Sequence, residues 1–259
     1  MTESIQGAQL VGRVAAVLRI VSASMPDGTT PTRVAAATGI SRPTAHRILA
    51  SLAEHGFVDR DARTSRWLLG PELYVMGAIA AERYDITPIA RESLLALAAA
   101  TGESAFLSAR RGDETVCLLR EEGAFPIRSH VLYEGIRFPL GVASAGIAIL
   151  SFLSDVAVEA HLARVDLAAR YGEAHTARAV RERVAATRAT GYAVNPGLIV
   201  EGSWGMAAAI FDTSGQPAWA LSLTGIESRF TAERRPELGR LLLAAAHRVT
   251  QEIGGRSRI

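Results

Sequence analysis

Between Ser41 and Glu54 the chain reads SRPTAHRILASLAE, and its hydrogen-bonding side chains, Ser41, Arg42, Thr44, His46, Arg47 and Ser51, fall outside the stripe made by Ala45, Ile48, Leu49 and Leu52. No carboxylate occurs from Ser41 to Ala53, whereas a face that only meets water ordinarily mixes signs. Arginine forks and small hydroxyls hydrogen-bond phosphates and base edges, and Arg pairs bidentately with guanine. The chemistry offered is recognition of a polyanionic duplex. Arg42, Thr44, His46 and Arg47 are the candidates near bases or phosphates, with Arg47 the best placed for a base edge. Ser41 caps the helix and donates to a phosphate. Arg60, Arg63 and Arg66 follow on a short β pattern, positioned to meet phosphates beside the groove.

Beyond residue 85 the signals for covalent chemistry are weak. GVASAG lacks the Gly-x-Ser-x-Gly spacing of a nucleophile elbow, and neither a Walker-type loop nor G-x-G-x-x-G occurs. Cys117 lies in the apolar stretch VCLL, where an inert core thiol is the simplest reading. The six histidines, 46, 55, 130, 161, 175 and 247, include no pair at helix-adjacent spacing. Glu121 and Glu122 read as a solvated strand end. The expectation is no catalytic residue, no metal and no cofactor. Ser222 and Thr224 alternate along PAWALSLTG and so share one side of a strand, where they offer two hydroxyls to one ligand or bond within the fold.

These groups need elements to hold them. Leu10, Val11, Val14, Val17, Leu18 and Val21 recur at helical steps over Ala8 to Ser22; Thr30-Pro31 opens a short second helix that Gly39 stops; Ser41 caps a third, which ends at Gly56. FVDRD and RWLLG around the turn ARTS read as a β-hairpin. Two helices across a three-residue turn, followed by a ribbon, make a winged helix-turn-helix. An apolar helix from about Glu72 to Tyr84 links this to a second part, whose next helix starts at Pro88. ESAFLSAR and ETVCLLRE predict a hairpin, IRSHVLYEG a third strand, and GVASAGIAILSFL an inward-facing helix. Helical stretches follow around 156–162, 167–171 and 177–190. Strands GYAVNPG, WGMAAAIFD and PAWALSLTG and a final helix from Thr231 to Ile253 complete an α+β domain on an antiparallel sheet.

Bulk composition is compatible with this. A chain of 259 residues predicts two domains, and 49% hydrophobic with 21% charged residues excludes a disordered or fibrous protein. No apolar run reaches the ~18 residues of a membrane span, and MTESIQGAQL lacks the layout of a secretion signal, so a cytoplasmic protein without a membrane partner is expected. A single cysteine cannot form an internal disulfide. A net charge of +2 names no partner, but every basic side chain is Arg, and through Gly70 eight arginines face five acids.

ISRPTAHRILASLAEHGFVDRD with RWLLG resembles the amino-terminal domain of the IclR family of bacterial transcription regulators, and FPLGVASAGIAIL, GYAVN, MAAAIFDTSGQPAWALSLTG and the final helix resemble its effector-binding domain. The resemblance covers nearly the whole chain. It implies a winged helix-turn-helix over 1–70, a linker helix over 71–84, and a GAF-like antiparallel-sheet domain for effector binding and oligomerisation over 85–259. It further implies a repressor that binds a near-palindromic operator in double-stranded DNA as a homodimer or homotetramer, modulated by a small organic effector such as a carboxylate or aromatic acid. By resemblance the effector pocket takes Ser144, Ala145, Gly146, Asn195, Gly205, Met206, Ser222 and Thr224. The chain departs from the family pattern at Gly141, where a His is usual, at Gly146-Ile147, where Gly-Lys is usual, and at Asn195, where an acid is usual. Those departures imply a bulkier, less charged ligand. Two other readings of the second half remain open: an enzyme, or a domain that only oligomerises around a filled apolar pocket.

Overall fold

The computed structural model describes residues 8–83 and 86–256, and the chain divides into two compact units, Met1–Tyr84 and Asp85–Ile259. In the first unit come α1 (Ala8–Ser22), α2 (Pro31–Thr38), α3 (Arg42–Glu54), β1 (Val58–Arg60), β2 (Trp67–Leu69) and α4 (Pro71–Arg83). Tyr84, the last residue of the expected linker helix, lies outside the described residues.

Local chemistry sets these boundaries. Thr30 caps α2 by accepting from the Arg33 amide at 3.3 Å, Pro31 occupies its first turn, and Gly39 ends it at φ 70°, where a Cβ would be strained. Ser41 then caps α3, accepting from the Thr44 amide at 3.3 Å. Helix α3 stops at Glu54, slightly before the expected Gly56, with His55 as its C-cap. Val17, Val21, Val34, Ala45, Ile48, Leu49, Leu52, Val58 and Trp67 form one core, so the stripe of α3 is buried against α1, α2 and the ribbon. The ribbon pairs Val58 with Leu69 and Arg60 with Trp67, and Thr29 bridges to Trp67 from the α1–α2 loop. At Gly70 the returning strand meets the chain again: a Cβ there would lie 2.2 Å from the Gly56 carbonyl oxygen.

The second unit runs α5 (Ile86–Thr101), β3 (Ser104–Arg111), β4 (Glu114–Glu121), β5 (Arg137–Pro139), α6 (Ser144–Ser151), α7 (Asp155–Arg164), α8 (Ala168–Tyr171), α9 (Ala177–Thr190), β6 (Tyr192–Pro196), β7 (Ser203–Phe211), β8 (Pro217–Ile226) and α10 (Arg235–Arg256). Its sheet has six strands in the order β5-β4-β3-β8-β7-β6, every pair antiparallel. Alternate residues of each strand serve two cores. Leu221 and Leu223 of β8 join Leu94 and Leu97 of α5 and Leu238, Leu242 and Val249 of α10. Ala220 joins Ile147 and Leu150 of α6 and Val180 and Val184 of α9. Every residue of α6 is buried. Its small side chains let it approach the Pro139–Gly141 turn, and a Cβ on Gly146 would lie 3.3 Å from the Pro139 carbonyl oxygen.

One expected strand is absent. Residues 127–135 form no strand; β5 is instead Arg137–Pro139. The free edge of β4 offers one set of backbone groups, and Gly135 to Pro139 take it: the Gly135 amide donates to the Cys117 carbonyl at 2.8 Å and the Cys117 amide to Ile136 at 3.0 Å. Ile127 and Tyr133, whose apolar character suggested a strand, are largely exposed. The final helix also starts at Arg235, after a turn in which the Arg235 amide donates to the Thr231 carbonyl. No helix among the described residues is long and apolar enough to cross a membrane.

Candidate nucleic-acid interface and ligand cavity

The stripe of α3 faces the core, so Pro43, His46, Arg47 and Glu54 point away from it, with Arg42 and Ser51 on the flanks. Arg42 and Arg47 are exposed, and neither has a carboxylate within ion-pairing distance among the described residues. Ser41 Oγ is engaged twice, as the cap and with Thr44 Oγ1 at 2.9 Å, so Thr44 is half-buried and turned toward α1. Thr44, Arg47 and Ser51 line a groove with Leu10, Arg13 and Val14 of α1. His46 lies edge-on to Trp67, with ring centroids 6.1 Å apart, and Arg60 stacks over the same indole at 5.9 Å. One buried tryptophan thus orients a helix residue and a ribbon residue toward a shared front.

The ribbon turn is built on Asp61. Its Oδ1 accepts from the amides of Thr64 (2.6 Å) and Arg63 (2.9 Å) and from the Thr64 hydroxyl (2.9 Å). The Thr64 backbone and hydroxyl bonds, with the Arg63 amide, hold the Asp61 carboxyl below the usual aspartate range. Arg63 is left exposed at the tip. Arg66 behaves differently: its guanidinium reaches the Gly28 carbonyl at 3.3 Å and ties the ribbon to the α1–α2 loop. Of the eight polar residues singled out in this part of the sequence, Arg42, Arg47 and Arg63 present unencumbered side chains, while Ser41, Thr44, His46, Arg60 and Arg66 are held by the fold.

In the second unit a small cavity opens beneath the turn into α6. Ser144, Asn195, Gly205 and Thr224 line it, together with Val131, Leu132, Ile199, Ser203 and Trp204. The Thr224 hydroxyl is buried there without a hydrogen-bond partner. Gly205 keeps the space open, since a Cβ on it would lie 3.1 Å from Ser144 Oγ. Asn195 is committed to the fold: its Nδ2 donates to the Val142 carbonyl at 2.9 Å and its Oδ1 accepts from the Leu198 amide at 3.0 Å. The free volume is about 20 Å³, enough for a single water. Ser129 Oγ and Ser203 Oγ, 2.5 Å apart, join the 127–135 loop to the start of β7 above it.

Four other residues implied by resemblance stand apart from this cavity. Met206 is fully buried on the opposite face of the sheet, against α5 and α10, because it follows Gly205 by one residue in a strand of period two. Ala145 belongs to the α6 core and Gly146 to the contact with Pro139, so the helix turns both away. Ser222 shares the α6 side with Thr224 but is completely covered, its hydroxyl also unpartnered. Conversely, sequence reasoning missed Val131, Leu132 and Ile199 as lining residues: they lie in irregular segments, where no periodicity tells which way a side chain points.

Among the described residues, Cys117 and His161 are held by the core of this unit. Cys117 is buried, and burial pushes its thiol up to about 12, far from the thiolate form. His161 Nε2 donates to the Leu140 carbonyl at 2.9 Å and its Nδ1 faces Asp113 at 3.5 Å, with no serine or cysteine against it in the hydrogen bonds of the described residues.

A small domain with a capped helix-turn-helix and an arginine-bearing ribbon, followed by a larger antiparallel-sheet domain with a small cavity beside α6, is the architecture of a winged-helix transcription regulator. Residues 10–62 match the IclR helix-turn-helix domain and residues 78–251 the family described as bacterial transcriptional regulator IclR C-terminal. The chain belongs to the IclR family, and it is a DNA-binding regulator, not an enzyme. It is 30% identical over 218 residues to the HTH-type transcriptional regulator KipR of Bacillus subtilis, covering 84% of this chain and 86% of that one. It is 28% identical over 227 residues to the transcriptional repressor IclR of Escherichia coli, covering 86% and 82%. The solved structure of an IclR homologue from Microbacterium hydrocarbonoxydans, complexed with 4-hydroxybenzoate, shares the fold with a TM-score of 0.76 at 20% identity, over 94% of this chain and 98% of that one.

Proposed function

We propose that the protein is a cytoplasmic repressor that reads a near-palindromic operator as a homodimer and releases it when a small organic effector enters the cavity at Ser144, Gly205 and Thr224. The observation that carries the DNA half is the pair Arg42 and Arg47, exposed on the outer part of a capped helix with no carboxylate within ion-pairing distance among the described residues. In this reading α3 enters the major groove, Arg47 meets a base edge, and Arg42, Arg60, Arg63 and the Ser41 end of the helix meet phosphates. One such helix covers too few base pairs for selectivity, so two copies are needed. Tyr74, Val75, Met76 and Ile79, exposed along α4, supply an apolar face for the second copy. The working division is DNA binding over 1–70, linker over 71–84, and effector binding and assembly over 85–259.

The effector half rests on Thr224, an unpartnered buried hydroxyl aimed into a cavity that carries no charged lining residue. An unpaired buried donor asks for an acceptor, and the uncharged lining favours a neutral or phenolic polar group there over a bare carboxylate. The Microbacterium relative, complexed with a hydroxybenzoate, is consistent with an aromatic acid whose hydroxyl end enters first. Such a ligand exceeds the closed cavity, so the loop joined through Ser129 and Ser203 must part to admit it. The effector controls DNA binding only if it favours one arrangement of the paired reading heads over another. The relative named as a repressor in Escherichia coli supports the direction of control. A footprint on the region upstream of the protein's own gene tests the reading: protection of paired half-sites that is lost in Arg47→Ala supports it, and an unchanged footprint in that variant overturns the assignment of α3.

A further inference from the structure

Strand β6 forms one edge of the six-stranded sheet, and beside that edge a groove of about 400 Å³ runs between α9 and the first turn of α10. It is distinct from the Thr224 cavity, with which it shares no lining residue. Tyr192, Val194, Pro196 and Pro236 give it apolar walls, Thr187 and Thr190 small hydroxyls, and Arg183 and Arg235 its only charges; no acid lines it among the described residues. Concave, mostly apolar sites of this size with a few convergent polar groups are the usual form of a small-molecule pocket.

The edge itself is poorly suited to pairing with another strand. Thr190 Oγ1 shares its proton between the Ala186 carbonyl at 3.0 Å and the Tyr192 carbonyl at 2.9 Å, so the first outward-facing backbone oxygen of β6 is already contacted. Alternation leaves Val194 as the next residue with backbone groups facing out, and Pro196 after it has no N–H to give. One free residue is too little for strand addition, which favours a small molecule over an extended peptide.

The charges gather at one end. Arg235 lies over the Trp204 ring, 5.5 Å from its centroid, and Trp204 is the cross-strand neighbour of Pro196. Arg183 precedes Thr190 by about two helical turns, and the chain reverses at Gly191 into β6, so Arg183 runs alongside the same Pro196 end. Neither arginine has an ion-pair partner within 4.0 Å among the described residues. Arg183 donates to the Ala174 and Ala179 carbonyls, and its Nη1 is buried with no acceptor. Burial lowers its pKa, the mark of a cation with no anion to offset desolvation. Glu233 and Glu237, which flank Arg235 in the chain, are exposed and do not line the groove.

We propose that this groove is a second ligand site, for a small organic anion whose carboxylate sits at the Pro196 end against Arg235 and in the field of Arg183, with its apolar body along Tyr192, Val194 and Pro236. The anion offsets Arg183, which has no anion beside it, and adds to the exposed Glu233 whose charge already acts on Arg235, while the apolar walls accept a ring or branched chain. Binding there joins α9, β6 and α10, and so clamps the edge of the sheet.

Calorimetric titration of the full chain carrying Thr224→Val, which disables the other cavity, provides the test, with benzoate as the probe and inorganic phosphate as a charge-only comparison. Benzoate should bind this protein, at least about ten-fold tighter than phosphate. Adding Arg235→Gln, or Ala232→Glu at an exposed position in the groove, should each weaken benzoate by about ten-fold or more while thermal melts stay unchanged. The proposal is overturned if Thr224→Val alone removes all benzoate binding, if neither groove variant alters it, or if phosphate binds as tightly as benzoate.

Discussion

In the proposed reading Thr224 and Arg47 carry the two functional halves, and each makes a sharp expectation at the level of a single side chain. A buried hydroxyl without a partner costs stability, while an isosteric apolar group does not. Thr224→Val should therefore leave the melting temperature of the ligand-free protein unchanged or raised, and should abolish the effector's influence on operator binding; a clear destabilisation would mean the hydroxyl is satisfied in solution. If Arg47 makes the proposed base-edge contact, worth about 1–3 kcal/mol, Arg47→Ala should lower preference for the operator over random duplex by roughly five-fold or more, with folding intact because the residue is exposed. Arg63→Ala, at the ribbon tip, should instead weaken all duplexes alike and reduce the salt dependence of binding. Competition binding against random DNA at several salt concentrations separates these two behaviours.

At the level of elements, helix ends and turns set how firmly these side chains are presented. Ser41 caps α3, and Ser41→Ala should cost the first unit about 1 kcal/mol, read from its melting transition. Acid acts on the ribbon through Asp61, whose folded-state pKa is depressed. Its contribution is complete above the unfolded value, and as pH falls through the lower folded value it is lost; amide exchange at Thr64 should accelerate there. His175, between α8 and α9, has its pKa lowered, first by burial and then by Arg183. The unfolded chain therefore binds a proton that the folded one refuses, and stability of the second unit should fall as pH drops below the ordinary histidine value of 6.5. A His175→Gln protein should lack that part of the pH dependence; parallel melts of the two proteins across this range would show it.

For the whole molecule, α4 is the element to watch. Tyr74 and Ile79 are 79% and 66% exposed, an arrangement a monomer gains nothing from. Ile79→Asp should shift the proposed dimer toward monomer in analytical ultracentrifugation and weaken operator binding, whereas an unchanged sedimentation profile would overturn the assignment of α4 as a contact between copies. The two units have separate cores, so a fragment beginning at Asp85 should fold alone and keep the Thr224 cavity.

Much of this was legible in the residues. The caps at Thr30 and Ser41, the glycine stop at Gly39, the stripe of α3 and the alternation of β8 act within a few neighbours, so the chain alone determined the helix-turn-helix, the ribbon, the antiparallel strands and the arginines that stand clear of the core. Packing decided the rest. Which face of β7 receives Met206, whether 127–135 pairs with β4, which hydroxyls stay unpartnered, and that Arg183 and Arg235 line one groove depend on contacts between segments far apart in the chain. A strand's period tells that two faces exist; only the layers stacked on them tell which one encloses a cavity.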